Sequence, residues 1–206
     1  MIAVRTLLES IRCEDGRLVA AQWHVARMRQ SRAALWGCTA EPDLMGAFER
    51  VRGRIGPGLW KLRVLYDTQI RAVEAAPYTA RRWRSAGLVD APGLEYAHKF
   101  ARRTELERLE RRARAAGADA VLIVKGGELS DFSYANAAFF DGTAWFTPAS
   151  ALLAGTRRQR LLDAGRIEPA PIRIDDMRHF TLVSPINAML DLGEISVPVA
   201  RLLRID

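Results

Sequence analysis

The stretch EYAHKFARRTELERL, residues 95–109, lies where the pattern of the chain changes, and it contains Lys99. Lysine and arginine together number 31, and three of these are lysines (Lys61, Lys99 and Lys125), which leaves 28 arginines. Arginine stays charged in proteins, whereas the amine of lysine can lose its proton and become a nucleophile. A lysine in this background is therefore a candidate for chemistry. The alternative is that a few lysines simply survive in an arginine-rich composition.

On either side of Lys99 the sequence indicates a boundary and a helix. Apolar residues recur at helical spacing from Phe100 to Ala116, and Gly117 suits the end of a helix, which places Lys99 at the helix head. The stretch DAPG at 90–93 is the best linker. We therefore expect two domains, an N-terminal α/β domain over 1–90 and a larger C-terminal domain over 94–206.

The N-terminal half alternates strand and helix patterns. Strands are predicted at 4–13, 59–67, 70–75 and 81–90, and helices at 20–36 and 43–54. In LWKLRVLYD the alternation puts Lys61 and Arg63 on one face of a strand and apolar side chains on the other. These two cations either bind a substrate carboxylate or are structural.

The C-terminal half shows strands joined by tight turns. AVLIVKGGELSD reads as a buried strand, a Gly-Gly turn and a returning strand, and NAAFFDGTAWFTP reads as a hairpin. A short helix is predicted from Thr156 to Ala164. The fold class is therefore mixed α/β in two lobes.

The composition is that of an ordinary globular protein. The chain has 206 residues, 49% hydrophobic residues and a formal net charge of +7. No apolar run approaches the roughly 20 residues of a membrane span, and Cys13 and Cys38 match neither a metal site nor a disulfide framework. We expect a cytoplasmic protein with no metal and no membrane. The charge raises nucleic acid as a distant alternative partner, but glutamates interleave the arginines after Lys99, which is typical of a solvated helix face.

Four motifs follow one another along the chain: ESIRCEDGRLVAAQWHVARMRQS, YAHKFARRTEL, KGGELSDFSYANAAFFDGTAWFTP and LLAGTRRQRLL. Their order and spacing resemble the class IV aminotransferase family, the pyridoxal-phosphate (PLP) enzymes of fold type IV, and the resemblance runs from Glu9 to Glu194. It implies a small N-terminal α/β domain, a larger C-terminal domain and the cofactor between them.

Lys99 matches the Schiff-base lysine of that family. A covalent bond to the cofactor aldehyde needs a primary amine that can be neutral, which arginine does not supply. Lys125 lies at the Gly-Gly turn, where a surface role is expected.

Asp131 and Asn136 reproduce the family spacing between an acid and an asparagine, and both are expected at the cofactor. The family acid contacts the pyridine nitrogen, which makes the ring a better electron acceptor. The usual residue is glutamate, so the aspartate is a departure, and Glu128 is the fallback. The alternative reading of Asp131 is an Asx-type turn.

Arg27 stands in HVARM, which matches the family element H-x-x-R-[LM]. The resemblance implies that its guanidinium binds the cofactor phosphate, for which a bidentate group is well shaped. His24 is expected to structure the start of the helix.

Gly155, Thr156 and Arg157 open a helix, and free backbone N–H groups at a helix N-terminus form an anion site. The family uses this turn for the cofactor phosphate. SPINAML at 184–190 matches a late segment of the lyase-like members, with Asn187 as the candidate cofactor contact and Ser184 as a weaker one. Capping of a turn is an equal alternative for Asn187.

The resemblance implies a homodimeric PLP enzyme that acts on a small amine substrate. The motifs K-F-A-x-R and I-N-A-M-L favour 4-amino-4-deoxychorismate lyase, which serves folate synthesis. An amino acid transaminase of the branched-chain or D-amino acid type is the alternative. Family members carry a longer segment before the first motif, so we expect a more open substrate pocket or one that a partner subunit completes.

Overall fold

The computed structural model describes residues 6–205, which form two compact units. The first unit runs to Ala80 and also takes in His98–Arg102, and the second comprises Arg81–Ala97 and the chain from Arg103 onward. The mixed α/β class predicted from the sequence is confirmed. The domain bounds 1–90 and 94–206 stay a prediction, and the compact units divide the chain at other residues.

The first unit contains an antiparallel four-stranded sheet and two helices. Its elements are β1 (Leu7–Glu14), β2 (Arg17–Leu18), α1 (Ala21–Trp36), α2 (Leu44–Arg52), β3 (Leu59–Tyr66) and β4 (Ile70–Pro77). The strand order is β2-β1-β3-β4. Every predicted strand and helix of this unit is present, within a few residues of its predicted ends. Residues 4 and 5 of the first predicted strand lie outside the described residues.

Strand alternation explains the core of this unit. In β1 the inward row contains Leu7, Ile11 and Cys13, all fully buried, and Met28 of α1 belongs to the same core cluster. In β3 the predicted alternation is confirmed, because Leu62 is fully buried whereas Lys61 is half-buried.

The segment that carries Lys99 is not the head of a helix, which corrects the sequence prediction. Phe100 forms an antiparallel bridge with Leu7, and Ala101 N–H donates to the Thr6 carbonyl at 2.9 Å. Because this segment is extended against β1, the following helix α3 (Thr104–Ala115) begins five residues after Lys99. Tertiary strand pairing has overridden the local helical pattern.

The second unit contains two sheets and the remaining helices of the described chain. Its strands are β5 (Ala86–Asp90), β6 (Ala120–Lys125), β7 (Glu128–Phe132), β8 (Asn136–Phe140), β9 (Trp145–Pro148), β10 (Glu168–Ala170), β11 (Leu182–Ile186), β12 (Val197–Pro198) and β13 (Leu202–Ile205). The sheet orders are β13-β5-β6-β7 and β10-β9-β8-β11-β12. Besides α3, the unit has α4 (Thr156–Asp163) and two 3₁₀ turns (Ile174–His179 and Val199–Arg201).

The apolar residues of α3 pack on the sheet as their spacing predicts. Leu106 and Leu109 join Val121 and Ile123 of β6 in one buried cluster. Strand β6 is buried on both faces, since Leu122 and Val124 lie in a second apolar cluster on the opposite face from Val121 and Ile123, which explains its continuous apolar run. The Gly-Gly turn between β6 and β7 is also confirmed, since Gly126 and Gly127 have φ of 60° and 83°.

The strand predicted over 81–90 is present only from Ala86 onward. The preceding residues are held by side chains instead of a strand ladder: Arg84 N–H donates to the Asp119 carboxylate at 2.9 Å. Trp83 packs its ring 5.2 Å from that of Phe132. These contacts between distant residues are invisible to a local pattern.

Candidate active site

Lys99 is fixed to the first unit through its backbone. Its carbonyl accepts a hydrogen bond from Leu8 N–H at 2.9 Å, and its side chain is half-buried. The pairing with β1 holds the lysine in an extended segment, where the backbone position does not depend on the start of α3. An amine on such a support can be presented in a reproducible orientation.

Arg27 and His24 both contact one buried carboxylate, that of Glu9. Glu9 is fully buried; Arg27 donates to it through Nε at 2.9 Å and through Nη2 at 2.5 Å. His24 Nδ1 lies 2.7 Å from the same carboxylate. Glu9 therefore orients the guanidinium from β1, while α1 carries both basic side chains three residues apart. The expected structural role of His24 fits this geometry.

The charge state of Glu9 follows from these neighbours. Burial alone would raise the pKa of Glu9, but the charge of Arg27 and the bond to His24 outweigh it and lower the pKa from 4.5 to about 2. The sequence interpretation missed Glu9. The available signal was a charged residue at an inward position of the row that contains Leu7 and Ile11.

The two basic residues of β3 have protein neighbours. Lys61 Nζ lies 5.4 Å from the ring centroid of Tyr78, a cation–π contact. Arg63 lies 3.6 Å from Glu74 in an exposed ion pair. Their role in substrate binding stays a prediction.

In the second unit, Asp131 lies in β7 and is 3% exposed. Its carboxylate accepts hydrogen bonds from Asn136 Nδ2 at 2.9 Å and from Leu153 N–H at 3.1 Å. Burial raises the pKa of Asp131 from 3.8 to about 6, against the opposing effect of these bonds and of Arg158. The fallback residue, Glu128, is much more exposed and lies 3.9 Å from Arg173. The carboxylate of Asp131 bonds to Asn136 and Leu153, so an Asx-type turn does not account for Asp131.

The predicted helix after LLAG begins at Thr156, and no side-chain hydrogen bond caps its N-terminus. Its first backbone N–H groups have no acceptor within the helix and point toward the space before it. Thr156 and Arg157 are both buried, and Arg157 forms an ion pair with Asp191. Sequence reasoning missed Arg158, whose half-buried guanidinium contributes charge near Asp131.

Asn187 makes the bonds of a turn. Its Oδ1 accepts from Met189 N–H at 2.8 Å and from Leu190 N–H at 3.1 Å, and its Nδ2 donates to the Tyr134 carbonyl. Ser184 is fully buried and donates to the Ile195 carbonyl at 2.8 Å. The turn-capping alternative accounts for the two bonds to Oδ1, the bond to Tyr134 ties the turn to a distant segment, and the role of Asn187 at the cofactor stays a prediction.

The residues present fit the chemistry of PLP. Asp131 is a buried acid whose hydrogen-bond donors are neutral, which suits an acceptor for a protonated ring nitrogen. The N-terminus of α4 lacks a capping side chain, which suits a phosphate. Arg27 is oriented by Glu9, and Lys99 supplies an amine.

The described residues, 6–205, contain neither a candidate metal site nor a candidate membrane-spanning helix. No cluster of three or more His, Cys, Asp or Glu side chains there is arranged to hold a metal ion. No helix in this part of the chain is long and apolar enough to cross a membrane. Cys13 and Cys38 are free thiols.

Comparisons with known proteins agree with the fold and the motifs. An uncharacterised protein of Haemophilus influenzae is 27% identical over 185 residues, which cover 89% of this chain and 97% of that protein. A crystal structure from Haemophilus somnus, provisionally named 4-amino-4-deoxychorismate lyase, is 25% identical with a TM-score of 0.82. The match covers 93% of this chain and 100% of that one. A Mycobacterium tuberculosis protein, solved in a PLP-bound form and described as a hypothetical aminotransferase, shares the fold at 21% identity and a TM-score of 0.77, with 98% of this chain and 82% of that one covered.

The profile of one family spans most of the described residues. Residues 6–197 match the family described as amino-transferase class IV. The family and the cofactor inferred from the four motifs are thereby confirmed. This chain belongs to the class IV aminotransferases and is a PLP-dependent enzyme.

Proposed function

We propose that this chain is a 4-amino-4-deoxychorismate lyase, which releases 4-aminobenzoate and pyruvate for folate synthesis. Two observations support this choice of reaction. The first is the complete coverage of the similarly named Haemophilus somnus structure. The second is the pair of sequence segments at Lys99 and Asn187 that resemble lyase-type members.

The observation that carries the chemistry is the buried Asp131 carboxylate, whose hydrogen-bond donors are neutral. When bound, PLP supplies an electron sink for charge that develops at the substrate α-carbon. Asp131 accepts a hydrogen bond from the ring nitrogen and stabilises its proton. Burial strengthens this interaction because little water competes for the carboxylate.

The other residues act by binding and by moving protons. The amine of Lys99 would hold the cofactor through its aldehyde, and the same amine would take the proton from the substrate α-carbon. Arg27 and the backbone N–H groups of Thr156 and Arg157 bind the phosphate. Lys61 and Arg63 attract the carboxylates of the substrate.

An amino acid transaminase is the second candidate, since the matching family is described by that activity. Both reactions use the same proton transfer by Lys99 and separate afterwards. A lyase needs one substrate and leaves the cofactor in its aldehyde form. A transaminase leaves the amine form and needs a keto acid to restore it.

The reaction is tested by mixing the purified holoenzyme with aminodeoxychorismate. We expect many equivalents of 4-aminobenzoate and pyruvate per subunit, with the visible absorbance band intact after turnover. A silent assay, together with loss of that band on adding simple amino acids and its return with a keto acid, would identify a transaminase instead.

Covalent labelling tests the lysine assignment. Because the chain has only three lysines, borohydride reduction followed by peptide mass mapping should find the cofactor on the peptide that contains Lys99. Lys99→Ala should abolish the label and the activity, whereas Lys125→Ala should retain both. A label on Lys61 or Lys125 in the wild-type protein would overturn the assignment.

We also propose that the enzyme is a cytoplasmic homodimer. Sedimentation of the holoenzyme measures the mass of the assembly directly. A sedimenting mass of one 23.0 kDa chain would contradict the dimer.

A further inference from the structure

Both side-chain N–H groups of Asn136 donate hydrogen bonds to other groups of the protein. Nδ2 donates to Asp131 Oδ1 at 2.9 Å and to the Leu153 carbonyl at 2.9 Å, and Asn136 is 4% exposed. A primary amide has two N–H donors, so these two bonds occupy both of them. Asn136 therefore has no N–H left for a ligand, although the sequence interpretation placed it among the cofactor contacts.

Leu153 closes a ring of hydrogen bonds with these two side chains. Its carbonyl accepts from Asn136, and its N–H donates to Asp131 Oδ2 at 3.1 Å. Asp131, Asn136 and the Leu153 peptide groups are thus joined by three bonds. A rotation of any one of them must break at least one bond.

Gly155, two residues after Leu153, packs against the same amide. A Cβ atom at this position would overlap Asn136 Oδ1. The backbone of Gly155 has φ of −73°, which any residue adopts, so space and not conformation requires the glycine here. Since Gly155 directly precedes Thr156, the amide also determines how the chain enters α4.

We infer that Asn136 is a positioning residue that couples the orientation of the Asp131 carboxylate to the turn at the N-terminus of α4, with Gly155 providing the space for its amide. The hydrogen-bond ring and the glycine contact are properties of the chain alone. The consequence for cofactor binding rests on the function proposed above, in which Asp131 meets the ring nitrogen and the turn meets the phosphate. A change at Asn136 alters both contacts together.

The charge environment gives this role a signature that a purely structural residue would lack. Burial raises the pKa of Asp131, and the Asn136 bond is the first of the interactions that oppose it. The positive charge of Arg158 also lowers the pKa of Asp131. The hydrogen bonds of Arg158 itself go to the Thr147 hydroxyl and to the Pro148 carbonyl. Removing the amide should therefore raise the pKa of Asp131 further, with Arg158 unchanged.

The test is a double-mutant cycle with Asn136→Ala, Gly155→Ala and the double variant. The pKa of Asp131 is measured in the apoprotein by NMR of ¹³C-labelled aspartate, assigned with Asp131→Asn, and PLP affinity is measured separately by titration. Asn136→Ala should raise the pKa of Asp131, shift the Leu153 amide resonance and weaken PLP binding by about tenfold, since a hydrogen bond to a charged group is lost.

Gly155→Ala should weaken PLP binding similarly in the wild-type background, because its methyl group displaces the amide. In the Asn136→Ala background it should have little further effect, because Oδ1 is gone and the space is open. Gly53→Ala is the matched control: Gly53 has φ of −63° and nothing within 4 Å of its added Cβ. That substitution should change neither quantity.

Additive effects of the two substitutions, or an unchanged pKa of Asp131 in Asn136→Ala, would overturn the inference. If Asn136→Ala does not fold, Asn136→Ser takes its place in the cycle. If the apoprotein readouts change as expected but the wild-type protein binds no PLP, the proposed function fails and the coupling within the chain stands.

Discussion

Glu9 and Asp131 are both carboxylates buried in strands, yet their pKa values shift in opposite directions. Glu9 is 0% and Asp131 is 3% exposed, so burial penalises their charged forms alike. The pKa of Glu9 nevertheless falls to about 2, and that of Asp131 rises to about 6. Glu9 bonds to the guanidinium of Arg27, whereas the donors to Asp131 are an amide and a backbone N–H.

The neighbouring groups, more than the depth of burial, therefore decide what a buried acid can do. The charge of Glu9 is matched by Arg27 within the protein, which makes Glu9 a support. The hydrogen-bond donors of Asp131 carry no charge, which leaves its carboxylate suited to a cation brought by a ligand. A protonated ring nitrogen meets that requirement.

Removing the charge of Glu9 should have the largest effect on stability. Glu9→Gln leaves the guanidinium of Arg27 without its counter-charge in a mostly buried place, which should cost about 3 kcal/mol or more in the free energy of unfolding. Urea denaturation of the apoprotein at pH 7 measures this change. Glu49→Gln is the control; Glu49 pairs with Arg52 at the surface of α2, and its loss should cost less than about 1 kcal/mol. Equal losses for the two variants would contradict the comparison.

Asp131→Asn should change the stability of the apoprotein at pH 7 in the opposite direction, towards a higher free energy of unfolding. The folded pKa of about 6 lies above the ordinary 3.8, so the folded state binds the proton more tightly. Stability from this group is therefore present below pH 4 and is lost as the pH rises to 6, by up to about 3 kcal/mol.

The asparagine variant lacks this loss, so its unfolding free energy relative to wild type should increase between pH 4 and 6. Its PLP affinity should fall at the same time. A constant difference in stability over this pH range would show that Asp131 does not titrate there.

His24→Leu should have a smaller effect than Glu9→Gln. It removes the bond to Glu9, worth roughly 1.5 to 3 kcal/mol when one partner is charged, but leaves the ion pair with Arg27 in place. The pKa of Glu9 should rise only partly toward its ordinary value. Acid denaturation curves of the two proteins measure this shift, and identical acid midpoints would mean that Arg27 alone sets the charge of Glu9.

Local patterns predicted much of the fold, and the motif resemblance supplied the candidate site residues. The strand β3 and the body of helix α3 were predictable because their apolar residues repeat with a clear period. Lys99 and Asp131 were identified from motif resemblance, and only their environment needed the structure. The sequence shows that Asp131 has one methylene group fewer than the usual glutamate. It does not show the hydrogen-bond donors around the Asp131 carboxylate.

What the sequence could not predict depends on contacts between distant residues. The helical pattern around Phe100 was overridden by pairing with Leu7, more than 90 positions earlier. The strand β13 pairs with β5 in parallel and has no local signal of its partner. Asn136 was placed at the cofactor because the motif contains it, whereas its bonds to Asp131 and Leu153 follow from the folded chain.

The pairing of the Lys99 segment with β1 also has a consequence for how the chain folds as it is synthesised. The first unit has most of its residues before Ala80, yet it needs His98–Arg102, which emerge after β5 of the second unit. Until then, the edge of β1 near Leu7 and Leu8 has backbone groups without these partners, and such edges pair readily with other chains.

Closing this edge requires a contact of high sequence separation, which forms slowly. The segment that carries Lys99 is thus also the segment that covers the edge. A chain that is still being synthesised before residue 98 has neither Lys99 nor the segment that covers the edge of β1. The pairing that covers this edge is therefore the same step that fixes the backbone of Lys99.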